Sequence, residues 1–543
     1  MPAGQHGGAE PGEIVLAEPL SHHGLGLKRA RIIERLGAMG DARSVSLIVV
    51  HTHDIPEVFP PEALTEAKRA RATPLGRRTD LRGIPLVTID GEDARDFDDA
   101  VYAEADGPGF RLFVAIADVA HYVRPGSALD HAARSRGNSV YFPDRVVPML
   151  PEALSNGWCS LQPDADRGCL FVELLIDRNG RKTSHRFGRG LMRSAARLTY
   201  EQVQRIQDSG DPRFAPLYAA YQALRAARSE RGTLDLDLPE RKVVLDADGA
   251  VSSVAPRPRL DSHRLIEEFM VLANVAAAEE LEHRHQPVMY RVHAPPSEEK
   301  LQSLRDFLHG LGISLPPGDQ VHPRDLDRVL RRVTGTPEAQ LVNEVMLRSQ
   351  SQAEYSPDNI GHFGLALPRY AHFTSPIRRY GDLQVHRALI RSLRLGNGAL
   401  GKDEAERFPD TALHITATER RAQLAERDAI DRYLAAYMAD KVGANFAARI
   451  SGVTRFGLFV TVTETGANGL VPVRSLPDDF WQHDEREQTL KGRRTRLAFR
   501  LAQEVEVRLA EASPVTGGLI FHLLQSQPDR SAQQQRGRRR RSR

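Results

Sequence analysis

A multidomain α+β protein, with mixed sheets and helices in its larger part and a small all-β barrel behind it, is predicted by three observations. Residues 84–117 carry three apolar, strand-like runs divided by turn residues. Long helical patterns follow at 261–283 and 411–438. From about Val442 the composition changes to five short alternating runs, the number and spacing of an OB barrel. A length of 543 residues allows about three domains with large cores. The divisions fall at 1–79, 80–440, 441–526 and 527–543.

The first segment reads as an incomplete domain, with short strand or helix material at 13–17, 28–34 and 44–50. Its start lacks the basic then apolar layout of a secretory signal, and no apolar run reaches membrane-spanning length. Both features point to a cytoplasmic protein without a membrane partner. Two cysteines, Cys159 and Cys169, match no zinc spacing and read as reduced, buried thiols.

Next comes the stretch that calls for chemistry. Ile84–Ile89 reads as a strand, and 100–103 and 110–117 as two more across the turn Asp106-Gly107-Pro108-Gly109. Between the first two lies Asp90-Gly91-Glu92-Asp93-Ala94-Arg95-Asp96-Phe97-Asp98-Asp99, six acids and one arginine in ten positions. Carboxylates so crowded repel one another unless a cation neutralises them, and hard divalent cations bind through oxygen. A calcium loop would need alternate ligands, a central glycine and a glutamate at its twelfth position, whereas this loop runs into a strand. Asp96 and Asp98 can share one face of extended chain, and Asp90 and Asp99 join them only if the backbone bends.

Further on, Ser139–Pro151 contains three prolines that oppose a regular helix, so it reads as a rigid extended wall. Helices at 261–283 and 297–311 are assigned to the core, the second capped by Ser297. His263 and His293 have no metal partner at a recognisable spacing and read as structural. In Tyr370–Asp382, Ser375 as N-cap and Pro376 at the first position predict a helix running past His386 toward Leu393. Its open end would bind phosphate, with Arg378 adding a bidentate fork, or Arg378 would simply pair with Asp382 one turn on. The tail from Arg530 to Arg543 holds seven arginines and no acid. Removing those charges from the net +3 leaves the rest of the chain at −4, so positive charge for any polyanionic ligand must be gathered into local grooves.

The segment Leu86–Val101 resembles the signature of the ribonuclease II and ribonuclease R family of exoribonucleases, nearer the ribonuclease R branch. The resemblance extends from about Gly83 to the end of the barrel. It implies an RNB catalytic domain at 80–440, an S1-type RNA-binding OB fold at 441–526, and cold-shock-like pieces at 31–37 and 53–60. The implied activity is magnesium-dependent, processive 3′ to 5′ hydrolysis of single-stranded RNA from its 3′ end to nucleoside 5′-monophosphates, by a monomer. Asp90, Asp96, Asp98 and Asp99 are then expected to hold metal, with Asp98 coupled most closely to the attacking water. Arg378 becomes the catalytic arginine on the phosphate, and Tyr141 the ring that clamps the terminal nucleotide. Phe446, Phe456 and Phe459 are candidate base-stacking rings of the barrel, of which one or two fill its core. Glu426 corresponds to a glutamate near the catalytic arginine in ribonuclease II and is not counted in the site. A non-catalytic RNA-binding protein on an RNB scaffold is the alternative, and a metal-dependent endonuclease a third possibility.

Overall fold

The acidic loop hangs from a seven-stranded sheet in the computed structural model, which describes residues 5–20, 29–38, 44–236, 240–317, 321–336, 338–485 and 488–526. In spatial order the strands are Ala196–Thr199, Val87–Asp90, Asp99–Asp106, Gly109–Ala117, Asp166–Ile176, Lys182–Arg193 and Thr79–Asp80. The inner pairings are antiparallel, and the first and last strands join in parallel. Asp99–Asp106 and Gly109–Ala117 are linked by two residues, a turn that Gly107 permits by taking φ +56°, where side chains are rarely tolerated. Every residue from Leu112 to Ala117 is buried, so this strand is covered on both faces. Helices Ala215–Arg231 and Asp261–His283 pack against it.

Asp118, directly after this strand, is fully buried, and burial by itself would raise its pKa. Arg189 and Arg78 reverse that: Arg189 Nε and Nη2 donate to the carboxylate at 2.6 and 2.9 Å and Arg78 Nη2 at 2.6 Å, holding it down at about 2. Because the folded pKa lies below the unfolded one, the stabilisation is present above about pH 4 and is lost as pH falls toward 2. Asp118→Asn leaves two guanidinium groups poorly compensated. We expect it to lower unfolding stability by about 3–5 kcal/mol, read from urea denaturation at neutral pH.

The helix Phe408–Ala439 is the spine of the molecule. Its 32 residues span about 48 Å. At one end Phe408, Ala412 and Ile415 join the main core. In the middle Ala422, Ala425 and Ala429 pack on Val49, Val50 and Ile55 of the N-terminal segment and on Val140, Phe142 and Val147. At the far end Tyr433, Leu434, Ala435 and Met438 enter the core of the barrel.

The barrel is closed in the order Asn445–Thr454, Gly457–Val462, Asn468–Pro472, Gly518–Ser526, Glu504–Ser513, the five runs that the alternation predicts. A three-stranded excursion, Trp481–Asp484, Thr489–Gly492 and Ala498–Arg500, is an addition to that prediction. The N-terminal segment forms an antiparallel pair, Glu13–Pro19 with Ala30–Ala38, followed by helix Ser44–Thr52. Helix Asp261–His283 has the predicted bounds, and Glu298–Gly310 is capped by Ser297 Oγ, which accepts from Lys300 N–H. Cys159 and Cys169 are buried and free. The arginine-rich tail lies outside the described residues.

The helix predicted from Ser375 begins instead at Tyr380. Arg379 is extended (φ −135°, ψ 123°) because it bridges the segment 137–139: Ser139 N–H donates to Arg378 O at 3.0 Å and Tyr380 N–H to Gly137 O at 2.9 Å. A tertiary bridge therefore overrides a good local cap, leaving 375–378 as an isolated turn closed by Arg379 N–H on Ser375 O at 3.0 Å. The ion pair to Asp382 is also made by the neighbouring residue. Arg379 donates twice to that buried carboxylate, at 2.8 Å each, and Arg378 is left for the site.

Candidate active site

Strand Val87–Asp90 delivers Asp90 to the mouth of the loop, and strand Asp99–Asp106 begins with Asp99. The pairing of Val87 with Val101 folds the loop back so that Asp90 stands beside Asp99. Main-chain contacts fix the return. Ser160 Oγ donates to Arg95 O at 2.7 Å and accepts Phe97 N–H at 3.1 Å, while Ala117 N–H holds Asp98 O at 2.8 Å. Arg197 pins the other limb through the carbonyls of Gly91 and Glu92.

Asp98 is buried, and its Oδ1 accepts Ile377 N–H at 2.9 Å. Its Oδ2 has no hydrogen-bond donor and lies 3.8 Å from Arg378 Nε. Asp99 Oδ2 is likewise buried without a donor. Burial pushes the Asp98 carboxyl well above its ordinary value, against the pull of Arg378. Asp99 rises to about 7 through burial and the neighbouring Asp90 charge, and Asp90 is raised by burial as well. Asp90 Oδ1 accepts the Gly91 N–H at 2.7 Å.

Asp96 is turned aside, accepting the Tyr141 hydroxyl at 2.9 Å. Among the described residues no three acidic, histidine or cysteine side chains form a ready-made metal cage, so the four expected ligands are gathered but not closed on one point. Still, two buried carboxylate oxygens without donors, held near the ordinary oxygen donors Asp90 and Asp96, fit a hard divalent cation. Arg378 is anchored by Nη2 on Ser375 Oγ at 3.0 Å, with its side chain 43% exposed.

Tyr141 is 38% exposed beside these groups. Burial and Asp96 raise its hydroxyl pKa, so it remains a donor. Its N–H donates to Glu426 Oε1 at 2.9 Å. Glu426 thus reaches the site from the spine helix, and burial raises its pKa against the opposing charge of Arg378. The same glutamate lines a cleft of about 620 Å³ between the spine helix, the hairpin Glu240–Leu245/Val251–Arg257 and barrel residues 449–468.

A further pair escaped the sequence reading. Tyr200, next to Thr199 which pairs with Asp90, stacks on His263 with ring centroids 4.0 Å apart. Asp90 and Asp99 both help raise the Tyr200 hydroxyl pKa after burial has done so, which places it beside the carboxylates. His293 is structural as expected: its Nε2 meets Ser351 O at 2.8 Å and its Nδ1 accepts Gly364 N–H at 2.9 Å. In the barrel, Phe456 and Phe459 are 63% and 45% exposed, whereas Phe446 packs against the core.

A buried carboxylate cluster with an arginine beside it, on an α+β domain followed by an OB barrel, is the arrangement of a phosphodiester-cleaving class of protein. The chain matches the RNB domain over residues 78–394, a cold shock domain over 1–60 and an S1 RNA binding domain over 439–511. It is 42% identical to ribonuclease R of Escherichia coli over 559 aligned positions, covering 97% of this chain and 68% of that protein. Ribonuclease R of Mycoplasma genitalium, solved with ribose-methylated single-stranded RNA, superposes with a TM-score of 0.87 at 29% identity, covering 92% of this chain and 80% of that one. Yeast Ssd1, a pseudonuclease, shares the fold at TM-score 0.70 and 19% identity, covering 88% of this chain and 62% of that one, so the scaffold alone does not decide activity. The chain belongs to the RNB family, in its ribonuclease R branch, and is an RNA-degrading 3′–5′ exoribonuclease.

Proposed function

We propose that the chain is a magnesium-dependent, processive hydrolase of single-stranded RNA that takes the 3′ end and releases nucleoside 5′-monophosphates. The observation that carries this reading is the placement of the donor-free oxygens of Asp98 and Asp99 beside the exposed fork of Arg378. Asp90, Asp96, Asp98 and Asp99 would hold the cation. Bound there, magnesium supplies an acidified water and neutralises charge on the leaving oxygen. Arg378 grips the scissile phosphate, and its tie to Ser375 fixes the direction of the fork. Asp98, held by Ile377 N–H, keeps one oxygen aimed at the reacting centre.

RNA enters through the cleft under the barrel, with Phe456 and Phe459 offering stacking surfaces outside it. Tyr141 stacks on the terminal base while its hydroxyl holds Asp96. No helix among the described residues is long and apolar enough to cross a membrane, and buried free thiols suit a reducing compartment. We place the enzyme in the cytoplasm, acting as a monomer.

A 5′-labelled RNA incubated with magnesium should shorten from its 3′ end to a short limit product and stay intact in chelator. Mid-length fragments appearing at once, from internal cuts, would overturn the exonucleolytic reading. Tyr141→Ala removes both the stack and the bond to Asp96. Its limit product should lengthen by one or more nucleotides while the early rate on long RNA changes less than about threefold, since a long strand is held by many other contacts and only a short one depends on this stack. An unaltered limit product on the same gel would make Tyr141 a packing residue.

A further inference from the structure

The excursion of the barrel has no part in the site described above. Between Thr489–Gly492 and Ala498–Arg500 the chain turns through Arg493, Arg494, Thr495 and Arg496, all exposed. Asp479 builds this turn. Its Oδ1 accepts the N–H groups of Phe480 at 2.6 Å and Arg494 at 2.9 Å, and its Oδ2 accepts the N–H of Thr495 at 2.7 Å and its hydroxyl at 2.5 Å. Gly492 is required there, because a Cβ would stand 2.4 Å from Asp479 Oδ2.

The negative charge of Asp479 is therefore used inside the turn, and the guanidinium groups face outward. Arg494 meets Asp478 at 2.9 Å in open solvent, a contact worth little, and Arg493 donates to the side-chain oxygen of Gln482. Arg496 makes no ion pair among the described residues. Phe480, whose carbonyl accepts the Arg493 N–H at 3.1 Å, is 71% exposed, although its neighbour Trp481 packs on buried Phe499. An uncovered ring is thus tied through its main chain to a hydrogen-bonded turn that carries three arginines.

We propose that this turn is a second RNA-binding site, gripping the backbone of a single strand through Arg493, Arg494 and Arg496 and stacking one base on Phe480. Guanidinium forks fit phosphate oxygens, and a bare ring accepts any base, so the pairing of the two favours RNA over an acidic protein. The excursion packs against Asn445–Thr454, and its arginines and Phe480 are residues other than the Phe456 and Phe459 rings. The inference rests on the reading that the enzyme acts on RNA.

The test uses the full chain carrying Arg493→Ala, Arg494→Ala and Arg496→Ala together, with binding of an RNA of about 40 nucleotides measured in chelator. Three phosphate contacts on a single strand contribute about −2 to the slope of log K against log salt. The wild type should lose about 20-fold more affinity than the variant between roughly 50 and 200 mM salt. The triple Arg→Lys variant should keep the wild-type slope, and Phe480→Ala should weaken binding without changing it. An Ala variant with the wild-type slope overturns the proposal. So does a Lys variant that weakens as the Ala variant does, since the arginines would then be serving the turn. Hydrolysis of an RNA of about eight nucleotides should be equal in all variants. Its absence in the wild type would instead be a failure of the exoribonuclease reading.

Discussion

Asp98→Asn is expected to abolish turnover, by at least about three orders of magnitude or ~4 kcal/mol of barrier, while RNA binding is retained. Asparagine keeps the acceptor that holds Ile377 N–H. It removes the charge from the buried oxygen beside Arg378, the feature that makes the site suit a cation. The fold should not suffer. A carboxyl whose folded pKa is raised by burial disfavours the folded state once ionised, so the unfolding midpoint in chelator at neutral pH should stay level or rise. Single-turnover rates within tenfold of wild type would remove Asp98 from the reaction. A lowered midpoint would make it a structural residue.

The second large effect is at Arg378. Lysine keeps the charge but cannot hold Ser375 Oγ with one nitrogen and present the rest of a planar fork to phosphate. We expect kcat for Arg378→Lys to fall about 100-fold, ~2.7 kcal/mol, with Kd for RNA within about threefold of wild type. Loss of affinity with kcat untouched would make Arg378 a steering residue.

The acidic decamer was legible because its chemistry lies in one short stretch, and strand signals on both sides fix where it must sit. Helix Asp261–His283 was legible because its apolar pattern is long. The barrel was legible because five alternating runs lie close together in sequence. What was missed depends on distant segments. The helix start at Tyr380 is set by a bridge to 137–139, more than 200 residues upstream, which no local cap reveals. Arg378 and Arg379 are neighbours with exchangeable charges, and only the burial of Asp382 decides which of them is used up.

Glu426 reaches the Tyr141 N–H across 285 positions. Tyr200 comes near Asp90 because strand Ala196–Thr199 lies beside Val87–Asp90, and it meets His263 because the start of helix Asp261–His283 packs on it, with Ser262 Oγ donating to Tyr200 O at 2.8 Å. For Tyr200 a weak signal existed: an aromatic residue at the end of a strand-like run, before a capped helix, as the Thr199 capping box shows. Asp96 was placed with the metal ligands, and the structure turns it to Tyr141. The sequence could not anticipate that contact, because Tyr141 lies on a short strand 45 positions from Asp96, which sits in irregular chain.

In the proposed reaction the carboxylate cluster holds a divalent cation against the phosphate being cut. The most direct test is an RNA carrying a single phosphorothioate of defined configuration at the scissile position, followed in one turnover. Sulfur binds magnesium poorly and softer ions well. One diastereomer should be cleaved about 100-fold more slowly in magnesium and recover in manganese or cadmium, with the other close to unmodified RNA. Equal rates for both diastereomers, unchanged by the metal supplied, would contradict it.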